Sequence, residues 1–572
     1  MYPFRRSLVS RHPAATLFLG ISALLVTATS PLWAVEIEYE FSNGETNSTP
    51  YHLTAEDSLS LMVPTTYEAT QAGVISGEGV VEKTGAGSLV LTGQNTFSGG
   101  LLLSAGMLRV GDIGSEENAA PTGTGTITFD GGSIGNAYAG HIAIVENSVL
   151  ALKDFSIDAA SGEDNDGAVE FFGPLDFGTG LRTITLTGTG LACFGGSISG
   201  ENITLVTTAG TSQVMFCDMN PNNFTGTLTV GTGITLELAK LPAPSEEGEP
   251  ENDPMAISGN LAINAGATVI VEVGNQFATS SIVAVNGTLE LSSAQENTIG
   301  GLLGTGTVNS DAGDLFSVGS GIFGGAITGS VELTKYTTGT LILTAASTYN
   351  GGTHIIDGTL QASNNKALGT GSVTITNGGV LQVDGGVALD IGAGNTISIA
   401  DDGETIYRKV YNSGEDLANF NELTSQGAFG TKADIIGGTT GADRTVDATF
   451  STTPFDVPTT DGARVSEIFT LTGTGGDTIV LQLSYSVDPE GLYIARLVGN
   501  EWVSLGTGLF VDGAWNSSYT AVGTYGIDTT TNTIWAITDQ SGAFAAVPEP
   551  STILLLGLAA VFVLYRARRS VA

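Results

Sequence analysis

Positive charge is what this 572-residue chain has least of. It carries 19 Lys and Arg against 58 Asp and Glu, a formal net charge of −39. Arg5, Arg6, Arg11, Arg566, Arg568 and Arg569 lie at the ends, as does Glu549, so residues 35–546 hold 13 basic against 57 acidic residues. Phosphate recognition needs clustered Lys and Arg, and nucleic-acid binding is excluded. Only 4 histidines occur. His52, His141 and His354, the three beyond residue 34, fit no His-Glu-x-x-His spacing, which removes the zinc-hydrolase signatures. With Cys193 and Cys217 as the only cysteines, Cys-x-x-Cys chemistry is absent, whether zinc or thioredoxin-like. Seventeen prolines without a Gly-x-y period do not make collagen. Charged residues are scarce (13%) beside 41% apolar ones, which argues against disorder driven by charge.

Glycine is abundant, 80 residues, and alternates with short β-branched runs. That texture predicts an all-β chain of short strands and tight turns. Self-similarity then organises it. Lys83-Thr84-Gly85-Ala86-Gly87-Ser88-Leu89-Val90-Leu91-Thr92 aligns with Lys335-Tyr336-Thr337-Thr338-Gly339-Thr340-Leu341-Ile342-Leu343-Thr344. Asn95-Thr96-Phe97-Ser98-Gly99-Gly100 then aligns with Ser347-Thr348-Tyr349-Asn350-Gly351-Gly352, and Gly106-Met107-Leu108 with Gly358-Thr359-Leu360. The offset is 252 throughout. Three short strands per ~20–25 residues fit one coil of a right-handed parallel β-solenoid (β-helix), whose coils stack at ~4.8 Å. Gly123–Phe129, Thr183–Gly188 and Gly287–Leu291 continue the pattern less regularly, and the solenoid is expected over 35–400, with its best copies at 75–110 and 327–362. These copies resemble the autotransporter-associated β-strand repeat of bacterial surface and secreted proteins. No C-terminal membrane barrel of alternating strands follows them.

Both ends read as addresses. Residues 1–34 have the basic start, apolar stretch and Leu32-Trp33-Ala34 ending of a secretory signal peptide, with cleavage expected after Ala34. Residues 547–572 contain Val547-Pro548-Glu549-Pro550-Ser551, an apolar run over 553–565 expected as a single transmembrane helix, and the cluster Arg566, Arg568, Arg569, which stays cytoplasmic by the positive-inside rule. This order resembles the PEP-CTERM sorting signal of Gram-negative bacteria that export polysaccharide. The resemblance implies recognition of Pro548, Glu549 and Pro550 by an exosortase-type protease, export machinery upstream of it, transient anchoring in the inner membrane, and release to the outer surface or extracellular matrix.

From Asp401 the texture changes. Residues 401–439 are expected to connect the solenoid to a small antiparallel β-sandwich over 440–546, where Trp502, Trp515 and Trp535 gather. Glu467–Gly473 with Asp477–Tyr485, around Thr474-Gly475-Gly476, reads as one hairpin, and Leu492–Val498 with Trp502–Leu505 as another. The run Asn532–Ile537 reads as the last strand before the tail.

Few residues invite chemistry. The 24-residue spacing of Cys193 and Cys217 is close to one coil, and an exported protein permits a disulfide between them. Asp164-Asn165-Asp166-Gly167 and Asp401-Asp402-Gly403-Glu404 are oxygen-rich turns without a full EF-hand loop, and 241–254 is an acidic, Pro-rich loop or hinge. No catalytic, metal or cofactor residues are assigned; diffuse or weak Ca²⁺ binding is the one metal interaction the acidity allows. The expected function is that of a non-enzymatic, exosortase-sorted cell-surface or matrix protein associating with exopolysaccharide or biofilm. Two alternatives stay open: a polysaccharide-degrading enzyme using paired carboxylates, and a ligand-specific adhesin, for which exposed tryptophans would speak.

Overall fold

The computed structural model describes residues 6–10, 34–110, 121–162, 167–242, 255–451, 465–486, 492–499 and 501–548. The chain divides into two compact units, Met1–Gly300 and Gly301–Ala572. Among the described residues there is no α-helix, and the one helical feature is a 3-10 turn, Leu417–Asn419.

The first unit is a parallel β-solenoid of the right-handed kind. A nine-stranded sheet runs from Arg6–Ser10 through Val80–Thr84 to Ile198–Ser199. A second parallel ladder contains Ser88–Leu91 and Met107–Val110, and a third runs from Ile142–Val145 to Thr288–Leu291. Strand formation follows from alternation: in Ser88–Leu91, Leu89 and Leu91 point inward and are buried while Ser88 and Val90 face outward. Stacking then places like on like. Phe129 lies on Phe155 at 4.0 Å and Phe171 on Phe194 at 5.4 Å. Each buried Leu, Ile, Val or Phe contributes about 1.5–3 kcal/mol, which one coil alone cannot realise.

Coil length is not constant. Leu89 pairs with Leu108, Leu108 with Ile134 and Ile134 with Ile157, steps of 19, 26 and 23 residues. The corners absorb the difference, so pairing stays in register while sequence periodicity is blurred. The three weaker strand candidates fall on Ile127–Phe129, Leu181–Leu186 and Thr288–Leu291.

The second unit begins as the same construction. One column pairs Leu333, Thr353, Val373, Ile397 and Leu423; another pairs Leu341, Leu360, Leu381 and Tyr407. Residues 401–439, expected as a connector, hold the final strands of these two parallel columns, Ile406–Tyr411 and Leu423–Ser425, and then Lys432–Gly438. An inward Lys409 between Tyr407 and Tyr411 hides the apolar alternation there. Pairing next turns antiparallel. One ladder is Ile406–Tyr411, Arg444–Ser451, Ile468–Thr472, Gly542–Pro548, Leu492–Val498 and Glu501–Ser504. The other is Leu423–Ser425, Lys432–Gly438, Ile479–Ser484, Thr533–Thr538 and Tyr525–Asp528.

This topology corrects one hairpin. The strands on either side of Thr474-Gly475-Gly476 pair into different ladders, Ile468–Thr472 in the first and Ile479–Ser484 in the second. The turn passes between sheets, where Arg444 donates to the Thr474 carbonyl and pairs with Asp477 at 3.0 Å. The hairpin of Leu492–Val498 with Glu501–Ser504 does form. Thr533–Thr538 is not the final strand, because Gly542–Pro548 follows it.

Candidate functional site

Both repeat copies contain the same lock. Lys83, 1% exposed, is the penultimate residue of the strand Val80–Thr84 and turns its ammonium onto the carbonyls of Thr84 (2.7 Å), Gly85 (2.8 Å) and Ala105 (3.2 Å). Lys335, 252 positions later and fully buried, donates to the carbonyls of Thr337 and Asp357, the equivalents of Gly85 and Ala105. The opposite corner also repeats. Asn95 Oδ1 accepts the Ile75 N–H (2.8 Å), and Ser347 Oγ accepts the Ile327 N–H (3.2 Å). Phe97 and Tyr349 fill the core beside these corners. The match between copies is therefore a match of corner chemistry as well as of strands.

Two further lysines, not singled out from the sequence, do the same work elsewhere. Lys240 donates to the carbonyls of Gly195, Gly196 and Cys217, and Lys409 to those of Asp384 and Val387 and to Glu415 at 3.2 Å. Both are fully buried. Burial pushes the ammonium groups of Lys83, Lys240 and Lys335 down to about 8. The available signal was their presence in a chain so poor in basic residues.

Beside the Lys240 lock, Cys193 and Cys217 form a disulfide with Cα atoms 6.7 Å apart. Cys193 is paired with Met215, so the bridge runs diagonally to a residue two places further on.

The candidate chemical groups stay apart. His52 Nδ1 lies 3.1 Å from Ser76 Oγ, but the Asp57 carboxylate nearby is taken by the Thr54 N–H and hydroxyl and by the Val35 N–H, so no Ser-His-Asp relay forms. His141 packs edge-on against Tyr138, and His354 pairs with Glu332 at 3.1 Å. Asp402 accepts from the Glu404 and Thr405 N–H groups and the Thr405 hydroxyl. Burial raises its pKa, yet the Thr405 and Glu404 bonds outweigh that and hold it below the usual range, as in an ordinary Asx turn. Among the described residues no three His, Cys, Asp or Glu side chains gather as metal ligands. Residues 163–166 and 243–254 lie outside the described residues.

On the outward face of the third ladder of the first unit, burial raises the Glu170 carboxyl, and burial together with Glu272 raises Glu237. Glu170, Cys193, Met215 and Glu237 are successive partners in that ladder. Three rungs at ~4.8 Å put the two glutamates ~14 Å apart, beyond the ~5–9.5 Å separation of glycosidase carboxylates. In the second unit, outward polar groups satisfy one another. Gln361 and Ser363 donate to Asp384, and Arg408 grips Asp447 with two bonds of 2.8 and 2.9 Å.

The tryptophans are packing groups. Trp535 is fully buried with Nε1 donating to the Gly513 carbonyl (2.9 Å) and stacks on Tyr519 at 5.8 Å. Trp515 packs on the same cluster, and Trp502 rests with Tyr493 on Ala495, Ala545 and Val547.

Of the two expected addresses, Ala34, where cleavage is expected, is described, and residues 11–33 lie outside the described residues. Arg6–Ser10 lies parallel beside Val35–Glu40. Pro548 ends the strand Gly542–Pro548; Glu549, Pro550, the run 553–565 and Arg566, Arg568 and Arg569 lie outside the described residues. Among the described residues no helix is long and apolar enough to cross a membrane.

Comparison with known proteins agrees with the two textures read from the sequence. Residues 81–110 and 333–362 match the passenger-associated-transport-repeat family, beginning six residues inside the copies marked out above. Residues 546–569 match the PEP-CTERM protein-sorting motif. The chain is 29% identical over 411 residues to the adhesin BmaC autotransporter of Brucella suis biovar 1 (strain 1330). That alignment covers 59% of this chain and 12% of the relative, so this chain corresponds to a small part of that adhesin. No solved structure matches. The chain thus carries two transport repeats of the passenger type, one sorting motif of the PEP-CTERM type, and a likeness to part of an autotransporter adhesin.

Proposed function

We propose that this is an exported surface protein, sorted through its PEP-CTERM tail and working as a non-catalytic adhesive or matrix-forming body. The observation that carries the reading is the sorting-motif match at 546–569 on a chain whose repeat fold spends its buried lysines on its own corners. The tail would hold the chain in the inner membrane until an exosortase-type protease releases it. The two antiparallel ladders would form a small sandwich that ends the second unit, and an acidic, cation-screened outer face would associate with exopolysaccharide. The likeness to an adhesin favours attachment to a surface over turnover of a substrate.

Deleting residues 549–572 tests the sorting half. The chain is expected to leave the envelope unprocessed, and unchanged retention and processing would refute it. Co-sedimentation with the producer's own exopolysaccharide, with and without Ca²⁺, tests the matrix half.

One observation favours a second reading: Glu237, raised by burial and by Glu272, is the outward carboxylate that a glycan-degrading enzyme on this solenoid would use. Release of reducing ends from a polysaccharide panel, abolished by Glu237→Gln, would establish it.

A further inference from the structure

The third ladder of the first unit carries an apolar outward face on this acidic chain. Its first four strands are Ile142–Val145, Ala168–Phe171, Leu191–Phe194 and Ser212–Phe216. Ala143, Val169, Ala192 and Val214 stack in register as one inward row and are buried. The alternate residues point outward, and one outward row reads Ile144, Glu170, Cys193 and Met215. Ile142 and Leu191 stand in the row beside it. Ile142 and Ile144 are 44% and 45% exposed, and Phe172, just past the second strand, is 39% exposed. A Cβ added to Gly195 would stand 2.8 Å from Phe172 Cδ1, so that ring lies on bare backbone. Glu170 is the one charged residue in these four strands. Burial raises its carboxyl pKa, and among the described residues no donor or cation reaches it.

We infer that this face is a docking site for a short cationic, apolar segment of a partner protein, with one Lys or Arg set between apolar side chains. An unpaired carboxylate held among apolar groups is costly, and a partner's cation would supply the missing pair. Apolar flanks on that segment would cover Ile142, Ile144 and Phe172, since exposed apolar patches of this kind mark interaction surfaces. Size and charge select the partner. Four rungs at ~4.8 Å span ~14 Å, and two outward rows with Phe172 are about as wide, giving roughly 200 Å². Two copies face to face would bury roughly 400 Å², well short of the ~1,000 Å² a specific interface needs. Two chains of net charge −39 also repel one another, and an anionic lipid surface is repelled in the same way. A strand or one face of a single helix matches the patch in length. The docking site rests on the placement of these residues rather than on the sorted, matrix-forming reading, and either can fail without the other.

The test titrates the purified full chain into a labelled strand peptide in which leucine alternates with lysine, read by fluorescence anisotropy. Physiological ionic strength screens diffuse attraction to the acidic surface. Saturable binding is expected, ~10-fold weaker for Glu170→Gln and for Ile144→Ser. Ile144 is exposed, so its replacement leaves the core intact. Glu290→Gln, on the same ladder but outside these four strands, should change the affinity by less than ~2-fold. Equal losses from Glu170→Gln and Glu290→Gln, or equal binding of a peptide with serine in place of leucine, would reduce the contact to general charge attraction and overturn the docking site. Absence of binding would overturn it as well. Self-association of the protein, abolished by Ile144→Ser, would give the face to a second copy and refute the choice of partner. A carbodiimide cross-link from the peptide's amines, mapped by mass spectrometry, should fall on Glu170; cross-links spread over many carboxylates would contradict the site.

Discussion

Gly358 offers the sharpest test of how tightly the coils stack. Its backbone is left-handed, φ +66°, and an added Cβ would stand 2.2 Å from the Thr337 carbonyl oxygen and 2.5 Å from that of Gly339. Both are backbone atoms of the preceding coil, which cannot swing aside as a flexible side chain would. Gly378, one coil on, has φ +77° but nothing within 4 Å of the same position. Alanine at either site takes on the left-handed penalty of about 1–2 kcal/mol. Only Gly358→Ala adds inter-coil overpacking, about 1–3 kcal/mol. The expected totals are about 2–5 kcal/mol for Gly358→Ala and about 1–2 kcal/mol for Gly378→Ala. Hydrogen exchange by mass spectrometry reads this locally. Protection in 333–362 should fall by ~100-fold in Gly358→Ala and by no more than ~10–30-fold in Gly378→Ala, at 1.4 kcal/mol per decade. The Lys335 ammonium, bonded to the neighbouring Asp357 carbonyl, should lose its site in the first variant alone. Equal effects from the two substitutions would refute the stacking geometry on which the repeat reading depends.

Other consequences follow from single groups. Burial, with Glu422 second, pushes the Asp434 carboxyl up to about 7, and its Oδ1 is buried without a hydrogen-bond partner. A folded pKa above the unfolded one means its stabilising contribution is complete below pH 3.8 and lost as pH rises through 7. Asp434→Asn should therefore raise the unfolding midpoint at pH 8, by the order of 2–4 kcal/mol, and not at pH 4; a variant no more stable at pH 8 would contradict this. Lys335→Met leaves the Thr337 and Asp357 carbonyls without their donor, and about 1–3 kcal/mol of local stability should go with it. Denaturant titration at neutral pH decides, and an equal or higher midpoint would mean the lysine is tolerated rather than needed. Replacing Cys193 and Cys217 together by Ala should cost about 3 kcal/mol if the bridge restrains its 24-residue loop in the unfolded chain. Reductant should lower the wild-type melting temperature to that of the variant and leave the variant unmoved.

What could be read from residues alone was whatever is local. Strand alternation such as Ser88–Leu91, glycine at corners such as Gly106 and Gly358, and the exact 252-residue offset all rest on φ/ψ preference and side-chain period, which neighbouring residues decide between themselves. The sorting tail was legible for the same reason, as a linear order of motif, apolar run and charge. The tertiary structure decided everything that depends on distant partners. Lys83 and Lys335 read as unremarked members of a repeat, and only coil stacking brings the carbonyls of Ala105 and Asp357 to them. The turn at Thr474-Gly475-Gly476 looks like a hairpin, and whether it joins neighbours or crosses between sheets depends on strands up to 80 residues away, as the bond from Ala546 to Ser466 illustrates. The boundary of the tail was set in the same way. Val547 and Pro548 read as the start of the sorting tail in the sequence, but pairing with Tyr493 and Leu492 makes them the end of a core strand, because a hydrogen-bond ladder is completed by whichever segment reaches its open edge.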